Sequence, residues 1–370
     1  MTPVPVLLLV RELGIGGTER QLVETARFLD RDRFTPHVGC FQPTGPRLTE
    51  LEAAGVPVLH LPLHSFLSSK LLSASSVFLD YVRRNGIQVV HSFDAPLNIF
   101  AVPLAKFAGV PAVLSSQRGD RQLTGRATHR CLRVTDRLTD AVVVNCEAMR
   151  RYLIEDEGVA ARKIRVCHNA VDGGAYARRA IDSPWPGQTV VGVICALRRE
   201  KSLDTLLRAY AKLDRGKSQL VIVGSGPEES RLKALSAELS LGETCHFEPA
   251  TSEVADWLSR IDIFVLPSRT EALSNSLMEA MASECCVVAS RVGGNPELVD
   301  DELNGVLFQS GNVDELSGKL AALLRDPDRQ KKMAAAASAK MASQFSYTKA
   351  AATMQQIYES VLQRRPSVNQ

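Results

Sequence analysis

Short apolar runs, each long enough for one strand, alternate along this chain with longer segments whose apolar positions recur at helical spacing. The first run, Val4-Pro5-Val6-Leu7-Leu8-Leu9-Val10, is apolar at every position and predicts a parallel strand buried on both faces. Gly14-Ile15-Gly16-Gly17-Thr18-Glu19 follows, and an amphipathic helix is expected from there to about Leu29. Further strand-like runs stand near 36–41, 56–61, 87–92, 111–115, 141–145 and 164–167. Helical stretches intervene near 46–54, 70–85, 97–108, 124–138 and 147–156. Strands that alternate with helices predict a parallel sheet covered on both faces.

Asn169-Ala170-Val171-Asp172-Gly173-Gly174 breaks that rhythm, and Ser183-Pro184-Trp185-Pro186-Gly187 punctuates the chain soon after. A domain boundary is expected between them, near residue 179. The pattern then restarts, with strands near 190–195, 220–223, 244–247, 261–266, 286–289 and 305–308. Helices are expected near 202–213, 228–240, 312–325, 328–344 and 347–363. The predicted fold class is therefore α/β: two Rossmann-like, doubly wound domains in tandem, each with a glycine-bearing βα turn. They are expected to face each other across a cleft lined by strand C-termini and helix N-termini.

One stretch concentrates the chemistry. The run 261–266 stops at Pro267, a polar loop follows, and a helix is expected from about Ser274. A strand tip followed by a helix N-terminus suits an anionic ligand, because the first N–H groups lack intrahelical partners and the dipole favours negative charge. Two carboxylates flank the same loop, Glu271 before the helix and Glu279 within it. Acids would repel a phosphate, so they are expected to face neutral hydroxyl groups. A ligand that carries both phosphate and hydroxyls, such as a nucleotide-sugar, fits. Near the start of the chain, Gly16 and Gly17 let backbone approach something bound at a helix tip; a tight βα turn without ligand is the other reading. The turn is not the dinucleotide fingerprint, since the third glycine is missing.

Composition adds limits. At 370 residues the chain suits two domains, and its 45% hydrophobic and 23% charged residues with net charge +3 make no demand for nucleic acid. The charge is uneven, however: Arg118, Arg121, Arg126, Arg130, Arg133 and Arg137 stand against Asp120 and Asp136. A solvated helix face and a surface for anionic lipid or an anionic acceptor are both open readings. The eight cysteines show no CxxC or paired Cys/His spacing and read as buried, reduced thiols. No basic leader precedes the first apolar run, and no run approaches the ~18 residues of a membrane span. The expectation is a cytosolic chain, at most peripheral to a membrane on its inner face.

The motifs, taken in order, resemble the retaining glycosyltransferases of the GT-B fold, in family 4. They are Gly14-Ile15-Gly16-Gly17-Thr18-Glu19, Val89-Val90-His91-Ser92, Asn169-Ala170-Val171-Asp172, Leu197-Arg198-Arg199-Glu200-Lys201, the E-x7-E pair Glu271 and Glu279, and Val292-Gly293-Gly294-Asn295-Pro296-Glu297. The resemblance implies an acceptor-binding domain of residues 1–178 plus 346–370, the last helix crossing back onto it, and a donor-binding domain of 179–345. It implies transfer of a sugar from a UDP- or GDP-sugar to an acceptor hydroxyl in polysaccharide, lipopolysaccharide or other glycoconjugate synthesis, with no metal or other cofactor. Lys201 would contact the donor diphosphate, Glu271 the donor sugar and Glu279 the ribose. Backbone N–H groups of Ala272, Leu273, Ser274 and Asn275 would face phosphate or sugar. Gly224 belongs to a turn that resembles the one near the nucleoside, and Gly16 and Gly17 to the loop that closes on the donor or acceptor.

Departures from the family pattern matter. Ala196 stands where the family usually has arginine, so Arg198, with Arg199 as the second choice, is expected to reach the phosphates instead. Phe93 stands two positions after His91 where several relatives have histidine, and Arg118-Gly119 replaces a frequent His-Gly. His91 and Arg118 are thus the acceptor-side candidates, and Arg118 suggests a phosphorylated, acidic or lipid-linked acceptor. Glu248-Pro249 alters the expected base pocket. Two rivals are a nucleotide-sugar 2-epimerase on the same fold and a catalytically weak nucleotide-sugar-binding subunit.

Overall fold

The structure is a computed structural model that describes residues 2–121, 124–214 and 216–363. The chain divides into two compact units, Met1–Asn169 with Tyr347–Gln370, and Ala170–Ser346. Positions 364–370, assigned from the sequence to the first domain, lie outside the described residues.

In the first unit, seven parallel strands take the order β3-β2-β1-β4-β5-β6-β7. They are β1 (Val4–Glu12), β2 (Phe34–Gln42), β3 (Val58–His60), β4 (Val89–Ser92), β5 (Ala112–Gln117), β6 (Ala141–Val144) and β7 (Ile164–Val166). The connecting helices are α1 (Gly17–Phe28), α2 (Pro46–Ala53), α3 (Lys70–Arg84), α4 (Ala95–Phe107), α5 (Arg126–Leu138) and α6 (Glu147–Glu155). The unbroken apolar run of β1 has a direct cause, because successive side chains enter different cores. Val6, Leu8 and Val10 pack with α1 and α2, while Leu7 and Leu9 pack with α3 and α4. The last helix, α14 (Tyr347–Leu362), belongs to this unit and adds Met354, Ile357, Tyr358 and Val361 to the α1 side.

The second unit holds six parallel strands in the order β10-β9-β8-β11-β12-β13. They are β8 (Thr189–Ile194), β9 (Ser218–Val223), β10 (Cys245–Glu248), β11 (Ile263–Leu266), β12 (Cys286–Ser290) and β13 (Val306–Phe308). Its helices are α7 (Leu203–Ala211), α8 (Glu229–Glu238), α9 (Val254–Arg260), α10 (Asn275–Ala282), α11 (Asn295–Leu298), α12 (Val313–Leu324) and α13 (Pro327–Gln344). Two of these, α9 and α11, are absent from the sequence reading; each spans two turns or fewer, too short for a helical period to register.

The break between units falls at Asn169 and Ala170, earlier than the residue 179 expected from the sequence. The intervening segment is fastened to the second unit. Val171 N donates to Phe345 O (2.9 Å), and Arg178 Nη1 to Ile261 O (3.1 Å) and Glu284 O (3.2 Å). Arg179 Nη1 pairs with Asp256 Oδ1 at 2.8 Å. The Pro- and Gly-rich stretch near 185 therefore lies inside this unit, where Trp185 packs its ring 4.6 Å from that of His246.

Candidate active site

Strand order reverses between β1 and β4 in the first sheet and between β8 and β11 in the second. At such a point the connections leave the strand ends in opposite directions and open a crevice. In the second unit the two loops at that point carry Lys201 and Glu271.

The loop after β8 is shaped by a neighbour. Leu197 N donates to Ser225 O (3.0 Å), and Glu228 N to Leu197 O (3.0 Å). Gly224, at φ +148, lies so close to Cys195 that any Cβ would overlap the Cys195 carbonyl. Gly224, expected beside the nucleoside, thus makes its observed contact with the backbone that leads to Lys201. A 3-10 turn, Arg199–Lys201, then ends at Ser202, which holds the left-handed φ of +50 and stands at the N-cap position of α7 without a side-chain capping bond.

The loop after β11 is laced to it. Arg269 N donates to Glu200 O (2.8 Å), and Arg269 Nε to Ser202 Oγ (3.2 Å). Lys201 Nζ donates to Glu271 Oε1 at 2.6 Å, and Ser268 Oγ donates to the same oxygen at 2.7 Å. Burial pulls the Lys201 pKa down, but the charge and hydrogen bond of Glu271 outweigh it and leave the ammonium above its ordinary value. Lys201 is therefore a fixed cation, with 20% of its side chain exposed.

Ser268 is fully buried, and its carbonyl accepts from Ser290 Oγ (2.7 Å) and Ser310 Oγ (3.1 Å). Asn295 Nδ2 in turn donates to Ser290 O at 3.0 Å. The sequence reading missed Ser268, Ser290 and Ser310. Only Ser268 gave a signal, a hydroxyl three residues before Glu271 in the same loop.

Ser274 caps α10, its hydroxyl accepting from Leu277 N at 3.3 Å. Ala272, Leu273 and Ser274 are buried and Asn275 is half-buried; Glu279, one turn into the helix, is 6% exposed. Arg198 differs. Its side chain is exposed, and no group among the described residues pairs with it. The structure thus joins Lys201 directly to Glu271 and leaves Arg198 at the rim of the same loop.

In the first unit, Gly16 precedes α1 and Gly17 is its first residue, next to Ile15, which is 62% exposed. His91 is fully buried: Nδ1 bonds Tyr358 Oη and Nε2 bonds Ser116 Oγ, each at 2.9 Å. Burial and the nearby charge of Arg118 hold its pKa well below the ordinary value, so the ring is neutral. As placed, it ties β4, β5 and α14 together and presents nothing to an acceptor, which corrects its acceptor-side assignment. Arg118 lies just beyond β5 and is half-buried.

Asp300, Asp301 and Glu302 are engaged in ion pairs with Lys340, Arg291 and Arg329. Among the described residues, no three His, Cys, Asp or Glu side chains are grouped to hold a metal ion.

Residues 15–173 match glycosyltransferase family 4, and residues 180–340 match the glycosyl transferases group 1. The chain belongs to the family 4 glycosyltransferases. This family 4 member is 26% identical over 286 residues to the sulfoquinovosyl transferase of Arabidopsis thaliana, covering 72% of this chain and 54% of that one. It is 27% identical over 297 residues to the D-inositol 3-phosphate glycosyltransferase of Streptomyces bingchenggensis, covering 75% and 62%. The chain thus spans less than two thirds of either relative. Anabaena HepE, solved in complex with UDP, superposes with a TM-score of 0.83 at 20% identity, over 96% of this chain and 100% of that one. Its fold is GT-B.

Proposed function

We propose that this family 4 transferase moves a sugar from a UDP-sugar to an acceptor hydroxyl with retention at the anomeric carbon. The observation that carries this reading is the pair made by Lys201 and Glu271 at the β8/β11 switch point. A leaving diphosphate gathers negative charge as the glycosidic bond breaks, and a pre-positioned ammonium stabilises that charge without reorganising. Lys201 is such a group, oriented by a carboxylate that is itself held by Ser268. Glu271 lies against the donor sugar and Glu279 takes ribose hydroxyls, each through charge-assisted hydrogen bonds. The start of α10 supplies N–H groups to phosphate or sugar. The protein's part is positioning and leaving-group stabilisation, with the departing phosphate accepting the acceptor's proton. A UDP-sugar is preferred as donor because HepE was also solved with UDP-glucose.

The test is incubation with a panel of UDP- and GDP-sugars without acceptor, following release of nucleoside diphosphate and the sugar product by NMR. Slow hydrolysis of one donor, releasing the sugar with its anomeric configuration unchanged, supports the reading. Conversion to a 2-epimer points to the epimerase, and no turnover or binding of any donor sinks the proposal.

The acceptor is reached from a lipid surface in this reading. The exposed side of α5 carries Arg126, Arg130, Arg133 and Arg137 beside Val134 (52% exposed) and Leu138 (40% exposed). Phe107, 77% exposed, ends the neighbouring α4. Cations beside apolar side chains on one helix face suit the interface of an anionic membrane. Among the described residues no helix is long and apolar enough to cross one.

A further inference from the structure

Two arginines three positions apart meet opposite fates in the first unit. Arg121 is 1% exposed and fully compensated: its Nη1 and Nη2 bond Asp136 at 2.7 and 3.0 Å, and Nε bonds Gln117 Oε1 at 2.9 Å. Arg118 is not. Its Nη1 donates to Asn169 Oδ1 at 2.7 Å, and its guanidinium carbon lies 4.7 Å from the centre of the Phe93 ring. Nε is buried with no acceptor, and no carboxylate among the described residues pairs with the group.

Among the described residues, the titratable groups that act on Arg118 are neutral. They are the imidazole of His91, the phenol of Tyr358 and the thiol of Cys167, which burial pushes up to about 11. Burial lowers Arg118 itself to about 10, which still leaves it charged at neutral pH. A half-buried guanidinium whose Nε is buried without an acceptor, and whose charge meets no carboxylate, carries a cost that the Asn169 bond and the Phe93 contact offset only in part. The position also matters, since Arg118 follows the C-terminal end of β5, the edge of a parallel sheet where ligands bind.

We propose that Arg118 is the counter-ion for an anionic group on the acceptor, a carboxylate or a phosphate, so that the acceptor is a charged molecule rather than a neutral sugar. Nη1 is committed to Asn169, which leaves Nε and Nη2, the edge that grips a carboxylate or phosphate with two parallel hydrogen bonds. Phe93 holds the guanidinium plane from one side. The inference rests on the glycosyltransferase reading only for calling that anion the acceptor; the unneutralised charge stands without it.

The experiment uses the full chain as wild type, Arg118→Gln and Arg118→Lys, titrated by calorimetry with glucose, glucuronate, glucose 6-phosphate and UDP. Wild type is expected to bind glucuronate or glucose 6-phosphate at least tenfold more tightly than glucose. Arg118→Gln should erase that preference, Arg118→Lys should keep part of it, and UDP affinity should be equal in all three. Without ligand, Arg118→Gln should unfold at the same or a higher temperature, since a charge lacking a partner has been removed. Equal binding of anions and glucose by wild type overturns the proposal, as does a preference that survives Arg118→Gln. A variant that loses UDP instead assigns the guanidinium to the donor, and one that unfolds well below wild type makes it structural; both also overturn it. An anion preference without turnover or binding of any nucleotide-sugar would sink the transferase reading and leave the anion site standing.

Discussion

The backbone of Gly293 lies directly against the carbonyl of Glu271. At φ +51, a Cβ built on Gly293 would overlap that oxygen, and the next residue, Gly294, donates its N–H to Ala272 O at 2.6 Å. The turn after β12 is therefore a mould for the loop that carries Glu271. Gly293→Ala meets backbone, which cannot swing aside, in a conformation that L side chains disfavour. Donor turnover should fall by about tenfold or more, because displacement of about 1 Å at a reacting group costs up to ~100-fold. Nucleoside diphosphate release checks this, and a variant with unchanged turnover would show that the contact relaxes freely.

Lys201 and Glu271 should fail in different ways. Lys201→Met removes the cation that the proposed mechanism sets at the leaving group and should lower turnover by about 100- to 1000-fold, the usual effect of losing one transition-state donor. Glu271→Gln keeps the shape and takes away the largest influence that raises the Lys201 pKa, so the lowering effect of burial is opposed only by the weaker influences of Cys195 and Glu200. In wild type the ammonium titrates above its ordinary value of 10.5, so its contribution is intact below that and lost only as pH rises through the folded pKa. The alkaline limb of the rate profile should therefore begin at lower pH in Glu271→Gln than in wild type. Coincident limbs would show that Glu271 does not hold the proton on Lys201.

Arg121 anchors the first unit. Its partner Asp136 lies on α5, and Glu157, 3.8 Å from Nη1, also accepts from Tyr152 Oη (2.8 Å) and bonds His129 Nε2 (2.7 Å). Arg121→Ala leaves buried carboxylates without their cation and should destabilise this unit by about 3–5 kcal/mol. Arg130→Ala, on the exposed face of the same helix, should stay within about 0.5 kcal/mol. Urea unfolding of both variants compares them; equal midpoints would refute the distinction.

The exposed arginines of α5 should matter to a lipid surface instead. Co-sedimentation with vesicles containing phosphatidylglycerol should exceed that with phosphatidylcholine vesicles and weaken with salt. The paired change Arg130→Glu with Arg133→Glu should abolish it, since each basic residue near such a surface contributes about 1 kcal/mol. Binding that is indifferent to lipid charge would argue for a solvated face.

Much of the fold was legible because each core strand of a doubly wound sheet is apolar on both faces and short, which separates it from the helices around it. The candidate loop between β11 and α10 was legible as well, since Glu271, Ser274 and Glu279 form a local pattern within one strand-loop-helix unit. The serines that brace it were not. Ser268, Ser290 and Ser310 come from three separate segments and carry no shared spacing, so only folding shows that two of their hydroxyls converge on one carbonyl. His91 misled for a similar reason, because strand-end position suggests a site, while the partner that buries it, Tyr358, comes from the far end of the chain.

By itself the sequence determined the two alternating α/β halves, the placement of Lys201 and Glu271 at loop tips, and the family to which the chain belongs. Periodicity and local motifs encode those features over a few residues at a time. It presented six arginines between 118 and 137 as one basic stretch, and only the tertiary structure separated them. Arg121 is neutralised in the core by Asp136, four others line the open side of α5, and Arg118 is half-buried, its Nε buried without an acceptor and no carboxylate among the described residues pairing with it. The physical reason is that a charge acquires its meaning from what surrounds it, and those surroundings are assembled from segments that are distant in the chain.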